Sequence, residues 1–164
     1  MYTITDLFDL EHTLAADYLR QFTYPWEALK GIKDLILSLG PKLGPDYEEV
    51  AEQVWIHKTA KVFPSAYLGA PCIIGPNTEV RHCAFIRGSA LVGADCVVGN
   101  SVELKNAVLF DNVQTPHYNY VGDSVLNPGT VIGRASSVYP TSCVRGVIPE
   151  GSIYKDSKNI VKRV

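Results

Sequence analysis

The chain lacks the features that would place it in a membrane or around a metal. No apolar run approaches the roughly 20 residues that a membrane span needs, and residues 1–6 show neither the charged nor the apolar region of a secretory signal. Its four cysteines form no CxxC pair and no Cys/His cluster with the spacing of a metal site. We therefore expect a cytoplasmic protein with reduced cysteines and no bound metal.

Strong charge of one sign is also absent, since the net charge is −2. Residues 1–50 carry four basic and nine acidic side chains, a net −5, whereas residues 51–164 carry eleven basic and eight acidic ones, a net +3. An excess of this size is far below that of a nucleic-acid-binding domain. The charge distribution excludes nucleic acid as the expected partner and favours small anions.

What the chain does have is a period of six residues, which fits neither a helix, near 3.6, nor a strand, at 2. Ten large apolar residues fall on successive sixth positions: Ile56, Val62, Leu68, Ile74, Val80, Ile86, Val92, Val98, Leu104 and Phe110. Such a hexapeptide repeat predicts a mainly β protein, a parallel β-helix. In the hexapeptide-repeat proteins that this pattern resembles, three hexads make one triangular coil. Coils are then expected at 56–73, 74–91 and 92–109, with residues 18 apart stacked at the roughly 4.8 Å spacing of strands.

Residues 1–50 carry two helical patterns instead of hexads. Their apolar positions recur every three or four residues: Leu7, Leu10, Leu14, Tyr18 and Phe22, then Trp26, Leu29, Ile32, Ile36 and Leu39. We interpret residues 1–50 as a helical segment covering the open end of a β-helix at 54–154; docking a partner or joining subunits is the alternative. A basic tail at 155–164, with Lys155, Lys158, Lys162 and Arg163, is expected to leave the coil as a helix or tail.

Two cations occupy a corner position where other hexads carry glycine, as at Gly69, Gly75, Gly93 and Gly99. Arg87 and Lys105 are 18 residues apart, so the coil model stacks them on neighbouring strands. Like charges in that arrangement repel, at a cost of some tenths to about 1 kcal/mol. A phosphate or sulfate between them would relieve the repulsion. The alternative is neutralisation by Asp123, or by Glu103 of another subunit.

The period also slips, near residue 109 and again after residue 121. The polar run Thr115–Asp123 includes His117 where the coil should continue with aliphatic residues and glycine. Histidine titrates near neutral pH, and nearby cations would help to keep it neutral and able to accept a proton. No Ser-His-Asp spacing, P-loop or carboxylate pair accompanies it. His117 is therefore the candidate general base.

Three stretches together resemble one family: Phe85–Gly88, Gly99–Asn106 and Pro116–Asp123. It is the left-handed β-helix domain of the bifunctional N-acetylglucosamine-1-phosphate uridyltransferase/glucosamine-1-phosphate acetyltransferase and its short relatives, and the likeness covers about residues 54–154. The resemblance implies a left-handed coil, acetyl-CoA as co-substrate, and a homotrimer with sites between subunits. It also implies transfer of an acetyl group to the amine of a sugar phosphate or nucleotide sugar.

Residue roles follow from the same resemblance. His117 would deprotonate the acceptor amine, which cannot attack a thioester as an ammonium ion. Arg87 and Lys105 would hold the sugar phosphate, with Tyr120 in contact with it. The complete candidate substrate-binding set is Arg87, Lys105, Asn119, Tyr120 and Asp123.

Two departures from the family leave other functions open. The nucleotidyltransferase domain is replaced by about fifty helical residues. The Gly-, Ala- and Asn-rich coil that follows Tyr-x-Gly-Asp in the family is missing after Asp123, so the slip after residue 121 would mark a deletion. A non-catalytic trimeric module that binds sugar phosphates is therefore the alternative to a transferase, and a pure scaffold is the third interpretation.

Overall fold

The computed structural model describes residues 2–133, 136–138, 143–144, 147–156 and 159–162. Four short α-helices, separated by 3₁₀ turns at Leu10–His12, Leu29–Gly31 and Gly40–Lys42, come first: α1 (Ile4–Leu7), α2 (Ala16–Leu19), α3 (Pro25–Ala28) and α4 (Ile32–Leu39). Eighteen strands follow in the described part of the chain: β1 (Tyr47–Ala51), β2 (Val54–His57), β3 (Lys61–Val62), β4 (Tyr67–Leu68), β5 (Cys72–Ile74), β6 (Glu79–Val80), β7 (Phe85–Ile86), β8 (Ala90–Val92), β9 (Val97–Val98), β10 (Glu103–Leu109), β11 (Gln114–Thr115), β12 (Tyr120–Leu126), β13 (Val131–Ile132), β14 (Ser137–Val138), β15 (Cys143–Val144), β16 (Val147–Ile148), β17 (Ser152–Asp156) and β18 (Asn159–Lys162). No helix in these ranges is long and apolar enough to cross a membrane.

The strands wind into a parallel β-helix with three sides. The first side stacks β2, β5, β8 and the ends of β10 and β12, then β15. The second side stacks β3, β6, β9, β11, β13 and β16. The third side stacks β4, β7, the starts of β10 and β12, then β14 and β17. The mainly β architecture predicted from the hexads, with its short helical segment, is confirmed.

The hexad positions form the core of the coil. Six residues of the repeat are completely buried inside the coil: Ile74, Val80, Ile86, Val92, Val98 and Leu104. Cys72 and Cys96 pack in the same core, as small apolar residues would, and burial raises the pKa of both thiols to about 12. The inward direction of the repeat is therefore set by burial of apolar surface.

The register changes one residue earlier than the ten-step period predicts. Leu109, and not Phe110, pairs with Val92 and enters the core, so the third coil has 17 residues instead of 18. Phe110 points out of the coil, and its ring centroid lies 5.5 Å from that of Phe8. The next coil is equally short, because Leu126 pairs with Leu109. The slip after residue 121 therefore repeats an earlier one and is not by itself the mark of a deletion.

The shortened corners explain the register change. Each is made by a single residue with positive φ, Asn106 (φ 48°) in one coil and Asp123 (φ 48°) in the next. Asn and Asp tolerate this left-handed conformation better than other residues with a side chain. Because one residue turns the corner, β10 and β12 each run for seven residues around it.

The helical segment covers one side of the β-helix and not its end, which corrects the expectation from the sequence. Leu19, Ile32 and Ile36 are completely buried in a second apolar cluster. The β-helix contributes to this cluster the outward residues of its first side: Trp55, Ile73, Leu91, Val108, Phe110 and Val125. Ile56, Val62 and Leu68 of the first coil stay only partly buried. The helices lie where a continuous outward apolar stripe needs cover.

The larger sheet ends in an antiparallel pair at each extremity. β1 pairs with β2 at its start, and β17 pairs with β18 at its end. Ser152–Asp156 and Asn159–Lys162 are therefore strands, in place of the helix or tail expected after residue 154; Lys158 and Arg163 lie outside the described residues. Such hairpins leave short edge strands, which limit pairing with other chains.

Candidate functional site

Two corners at opposite ends of the third side carry the residues singled out from the sequence. We call the corner between the third and first sides, with Arg87 and Lys105, the cation corner. We call the corner between the second and third sides, with His117, the histidine corner. The outward residues of the third side lie between them: Tyr67, Phe85, Glu103 and Tyr120.

The predicted stack of cations is present at the cation corner. Ile86 pairs with Leu104, and the Arg87 backbone N–H donates to the Leu104 carbonyl oxygen at 2.9 Å. Arg87 and Lys105 are the next residues of those two strands, so they occupy neighbouring rungs. The stacking inferred from the 18-residue spacing is confirmed.

Both cations have carboxylate partners within the same chain. Arg87 Nη1 donates to Glu103 Oε1 at 2.8 Å, and this hydrogen bond raises the pKa of the guanidinium above its ordinary value. Lys105 Nζ lies 3.5 Å from Asp123 Oδ2. The repulsion between Arg87 and Lys105 is therefore offset internally, and no bound anion is needed to keep them together. This confirms the alternative of neutralisation by Asp123, and it corrects the source of Glu103, which comes from the same chain and not from another subunit.

A cleft of about 350 Å³ opens at the cation corner, and we call it the cation cleft. It is lined by Lys33, Ala70, Pro71, Arg87, Gly88, Ser89, Lys105, Asn106 and Asp123. Part of the cleft floor is backbone without a side chain, at Gly88. This residue has φ 121°, and a Cβ on it would lie 2.5 Å from the Ala70 carbonyl oxygen. Only glycine fits that position without displacing the neighbouring coil.

Lys33 of α4 is the functional candidate that the sequence analysis missed. It lies on a solvated helix face, and nothing in the local pattern distinguishes it from Lys30 or Lys42. It reaches the cleft because the helical segment docks beside the corner. Asn106 Nδ2 marks this junction, since it donates to the Leu29 carbonyl oxygen at 3.2 Å and to Asp123 Oδ1 at 2.8 Å.

His117 lies on the turn between β11 and β12. Its Nδ1 accepts a hydrogen bond from the Asn100 backbone N–H at 3.2 Å. A neutral imidazole that accepts at Nδ1 carries its proton at Nε2. In this arrangement Nε2 is a donor, so His117 has to reorient before it can take a proton from a substrate.

Asn119 occupies a different place from the one expected of a substrate-binding residue. It is 2% exposed, its Oδ1 accepts from the Ser136 N–H at 2.8 Å, and its Nδ2 donates to the Ile132 carbonyl oxygen at 3.5 Å. Both the oxygen and the nitrogen of the Asn119 amide therefore form hydrogen bonds to the next coil. Asn119 stabilises the histidine corner and does not face a ligand in this conformation.

Tyr120 lies on the third side, next to the cation corner. Its hydroxyl lies over Gly122, where a Cβ would collide with it. Gly122 in turn pairs with Lys105 in the neighbouring strand. From Gly122 back to His117 the chain runs five residues, roughly 16 Å at full extension. The structure therefore places Arg87, Lys105, Tyr120 and Asp123 near one corner and His117 at the other.

No group of three or more His, Cys, Asp or Glu side chains able to hold a metal occurs within the described ranges. Nor does any buried side-chain nitrogen or oxygen there lack a hydrogen-bond partner. The buried side chains of the described residues therefore present no unsatisfied polar atom.

No family model and no curated protein matches the chain. Among solved structures it is similar to the acetyltransferase domain of PglB from Neisseria gonorrhoeae FA1090 in complex with acetyl coenzyme A, with 18% identity and a TM-score of 0.51 over 65% of this chain and 56% of that one. PerB from Caulobacter crescentus in complex with CoA and GDP-perosamine is 22% identical, with a TM-score of 0.40 over 65% and 55%. AntD, an N-acyltransferase from Bacillus cereus in complex with dTDP and 3-hydroxybutyryl-CoA, is 15% identical, with a TM-score of 0.45 over 69% and 80%.

The chain spans little more than half the length of the PglB and PerB structures. At these identities the likeness to the PglB domain concerns the fold alone. The closer resemblance to the bifunctional uridyltransferase/acetyltransferase stays a prediction from the sequence. The fold itself, a left-handed parallel β-helix of hexapeptide repeats with a short N-terminal helical segment, is confirmed.

Proposed function

We propose that this protein is an acyltransferase that moves an acetyl group from acetyl-CoA to the amine of a sugar phosphate or nucleotide sugar. The observation that carries the proposal is the cation cleft, in which Arg87 and Lys105 stand on adjacent rungs beside Tyr120. Arginine and lysine side chains in this arrangement suit a phosphoryl group. The fold shared with the PglB acetyltransferase domain supports the choice of acetyl-CoA as donor.

The chemistry requires the protein to move one proton from the acceptor amine to the leaving sulfur. The amine nitrogen attacks the thioester carbonyl carbon, the new N–C bond forms, and the C–S bond breaks to release the CoA thiolate. His117 would take the proton that the attacking amine loses and give it to the thiolate, so that CoA leaves as its thiol. To do so it would turn a free lone pair toward the amine and give up the hydrogen bond from Asn100, a net cost of about 1 kcal/mol.

The separation of the two corners bears on assembly. His117 and the rung of Lys105 lie at opposite corners of the third side, joined by five residues that span at most roughly 16 Å. In a homotrimer with sites between subunits, His117 of one copy would act beside the cation cleft of another. Light scattering at micromolar concentration tests this assembly directly, and a monomer would contradict it.

The third side offers the surface that such an assembly would cover. Tyr67 is 58% exposed and Phe85 44% exposed, and their ring centroids lie 5.4 Å apart. Pairs of exposed aromatic rings on one flat side are typical of protein interfaces. A second copy placed there would bring its own corners next to those of the first.

A non-catalytic module that binds sugar phosphates is the second candidate. The hydrogen bond from Asn100 to His117 Nδ1 favours it, since it holds the ring in the tautomer that cannot act as a base at Nε2. Such a module would retain the cation cleft and release no thiol from acetyl-CoA.

The decisive experiment measures free-thiol release from acetyl-CoA with a panel of amino sugar phosphates and amino nucleotide sugars. We expect turnover by the unaltered protein and a loss of about 100-fold or more in His117→Ala, the range for removal of a general base. His82→Ala is the matched control. His82 lies at the histidine corner, one coil before Asn100 and two coils before His117, and its Nδ1 bonds to the Ser65 hydroxyl. No turnover with any acceptor, while a sugar phosphate still binds, would overturn the transferase in favour of the binding module.

A further inference from the structure

Lys33 differs from the other two cations of the cation cleft in having no charged partner. Arg87 is paired with Glu103 and Lys105 with Asp123. Across the part of the chain that the structure describes, the Lys33 side chain makes neither an ion pair nor a hydrogen bond, although it lines the same cleft. Its ammonium group is therefore available to a ligand without breaking an existing contact.

The net charge at the cleft is +1. The three cations are Lys33, Arg87 and Lys105, and the two carboxylates are Asp123 in the lining and Glu103 beside it. The two internal pairs cancel, so the net charge comes from Lys33. A neutral pair has a weak field at a distance, whereas an uncompensated cation in a concave site attracts an anion. The affinity of the cleft for an anion should therefore depend on Lys33 at least as strongly as on either residue of the stack.

We propose that Lys33 completes a phosphoryl-binding site with one wall from the helical segment and the other from the β-helix. The inference rests on the proposed function in taking the phosphoryl group of a sugar phosphate or nucleotide sugar as the ligand, but it does not depend on acyl transfer. Arg87 and Lys105 supply donors from two rungs of the coil, and Lys33 closes on the ligand from α4. The flexible stem of a lysine suits this role.

Hydrogen bonds of Asn106 connect the helical segment that carries Lys33 to the cation corner. Asn106 bonds both to the Leu29 carbonyl oxygen, four residues before Lys33, and to the carboxylate that faces Lys105. One side chain thus links the 3₁₀ turn before α4 to Asp123. A bound phosphoryl group would add a second bridge between the helical segment and the β-helix.

Titration calorimetry of the full chain with inorganic phosphate and with pyrophosphate, at an ionic strength of about 20 mM where screening is weak, tests the proposal. We expect Lys33→Ala to weaken binding about tenfold, the loss of one charge-assisted contact, and Lys33→Arg to restore it to within about twofold. Lys30→Ala is the matched control, because it removes the same charge three residues away but outside the cleft, and its affinity should be unchanged.

Asp123→Asn gives an effect of opposite sign. It releases Lys105 from its carboxylate and keeps a residue that tolerates φ 48°, so both inorganic anions should bind several-fold more tightly. Thermal unfolding and far-UV circular dichroism of each variant establish that it is folded before binding is compared.

Three outcomes would overturn the inference. Unchanged affinity in Lys33→Ala, with weaker binding in Arg87→Ala, would place the anion on the stack alone. Equal losses in Lys33→Ala and Lys30→Ala would show an effect of net charge and not of the site. Failure of the unaltered protein to bind either anion would also exclude it, even if thiol release were observed. Anion binding without thiol release would leave the inference standing and remove the proposed catalysis.

Discussion

The first and third sides of the β-helix are alike in their inward residues and differ in their outward residues. Their inward residues are the same kind of apolar side chain, such as Ile74 and Ile86, and are fully buried. Outward, the first side presents an apolar stripe that the helices cover, whereas the third side presents exposed aromatic and charged residues. The hexad therefore specifies the coil, while the outward positions specify what each side contacts.

Truncating an outward residue should destabilise the protein far more on the first side than on the third. Leu91→Ala, at an outward position of the first side, should lower the free energy of unfolding by about 2–4 kcal/mol, because it leaves a cavity under the helices. Phe85→Ala, an outward position of the third side in the same coil, should cost less than about 1 kcal/mol. Urea unfolding at low protein concentration measures both. Equal losses would mean that the third side is buried against another copy even in dilute solution.

A smaller effect tests the junction between the covered side and the cation corner. Asn106→Ala removes two hydrogen bonds and places alanine at φ 48°, so we expect about 2 kcal/mol of destabilisation. Asn106→Gly loses the same bonds without backbone strain and should cost about 1 kcal/mol. Faster proteolysis of the helical segment in both variants would show that the junction holds it. If the two variants unfold alike, the strained corner contributes nothing measurable.

The last test compares the reactivity of thiols inside and outside the coil, and it involves no change in stability. Cys83 is exposed at the histidine corner, whereas Cys72 and Cys96 are buried and their pKa values are raised to about 12. At pH 8 only the thiolate reacts, so Cys83 should react quickly and the buried pair only in denaturant. Mass spectrometry after alkylation assigns the sites, and Cys83→Ser should lose the fast reaction assigned to residue 83. Rapid labelling of Cys72 would show that the coil opens.

The sequence predicted the coil and the cation stack because both depend on regular spacing. A period of six places every sixth residue inward, and a separation of 18 places Arg87 and Lys105 on neighbouring rungs. It predicted the slip near residue 109 but failed at Phe110, the last step of the period, because the corner at Asn106 has a single residue with positive φ and shifts the register by one. It also failed for the helices, because a helical pattern shows which face is apolar but not which surface that face covers.

The candidate site was predictable only in part for the same reason. Arg87, Lys105 and His117 interrupt a regular pattern and can be found by counting. Lys33 interrupts nothing, and it joins the cleft through the docking of α4 and the bond from Asn106 to Leu29. The burial of Asn119, which looked like part of a polar ligand-binding run, likewise depends on strands of the next coil.

By itself, then, the sequence determined the inner half of this protein: a triangular coil of hexads, its buried residues and its stacked corners. These follow from local sterics and from burial of apolar surface, which repeat with the chain. Only the tertiary structure decided the outer half: which side the helices cover, which carboxylates neutralise Arg87 and Lys105, and which lysine is left unpaired. Those features arise from contacts between residues far apart in sequence, and no period in the chain encodes them.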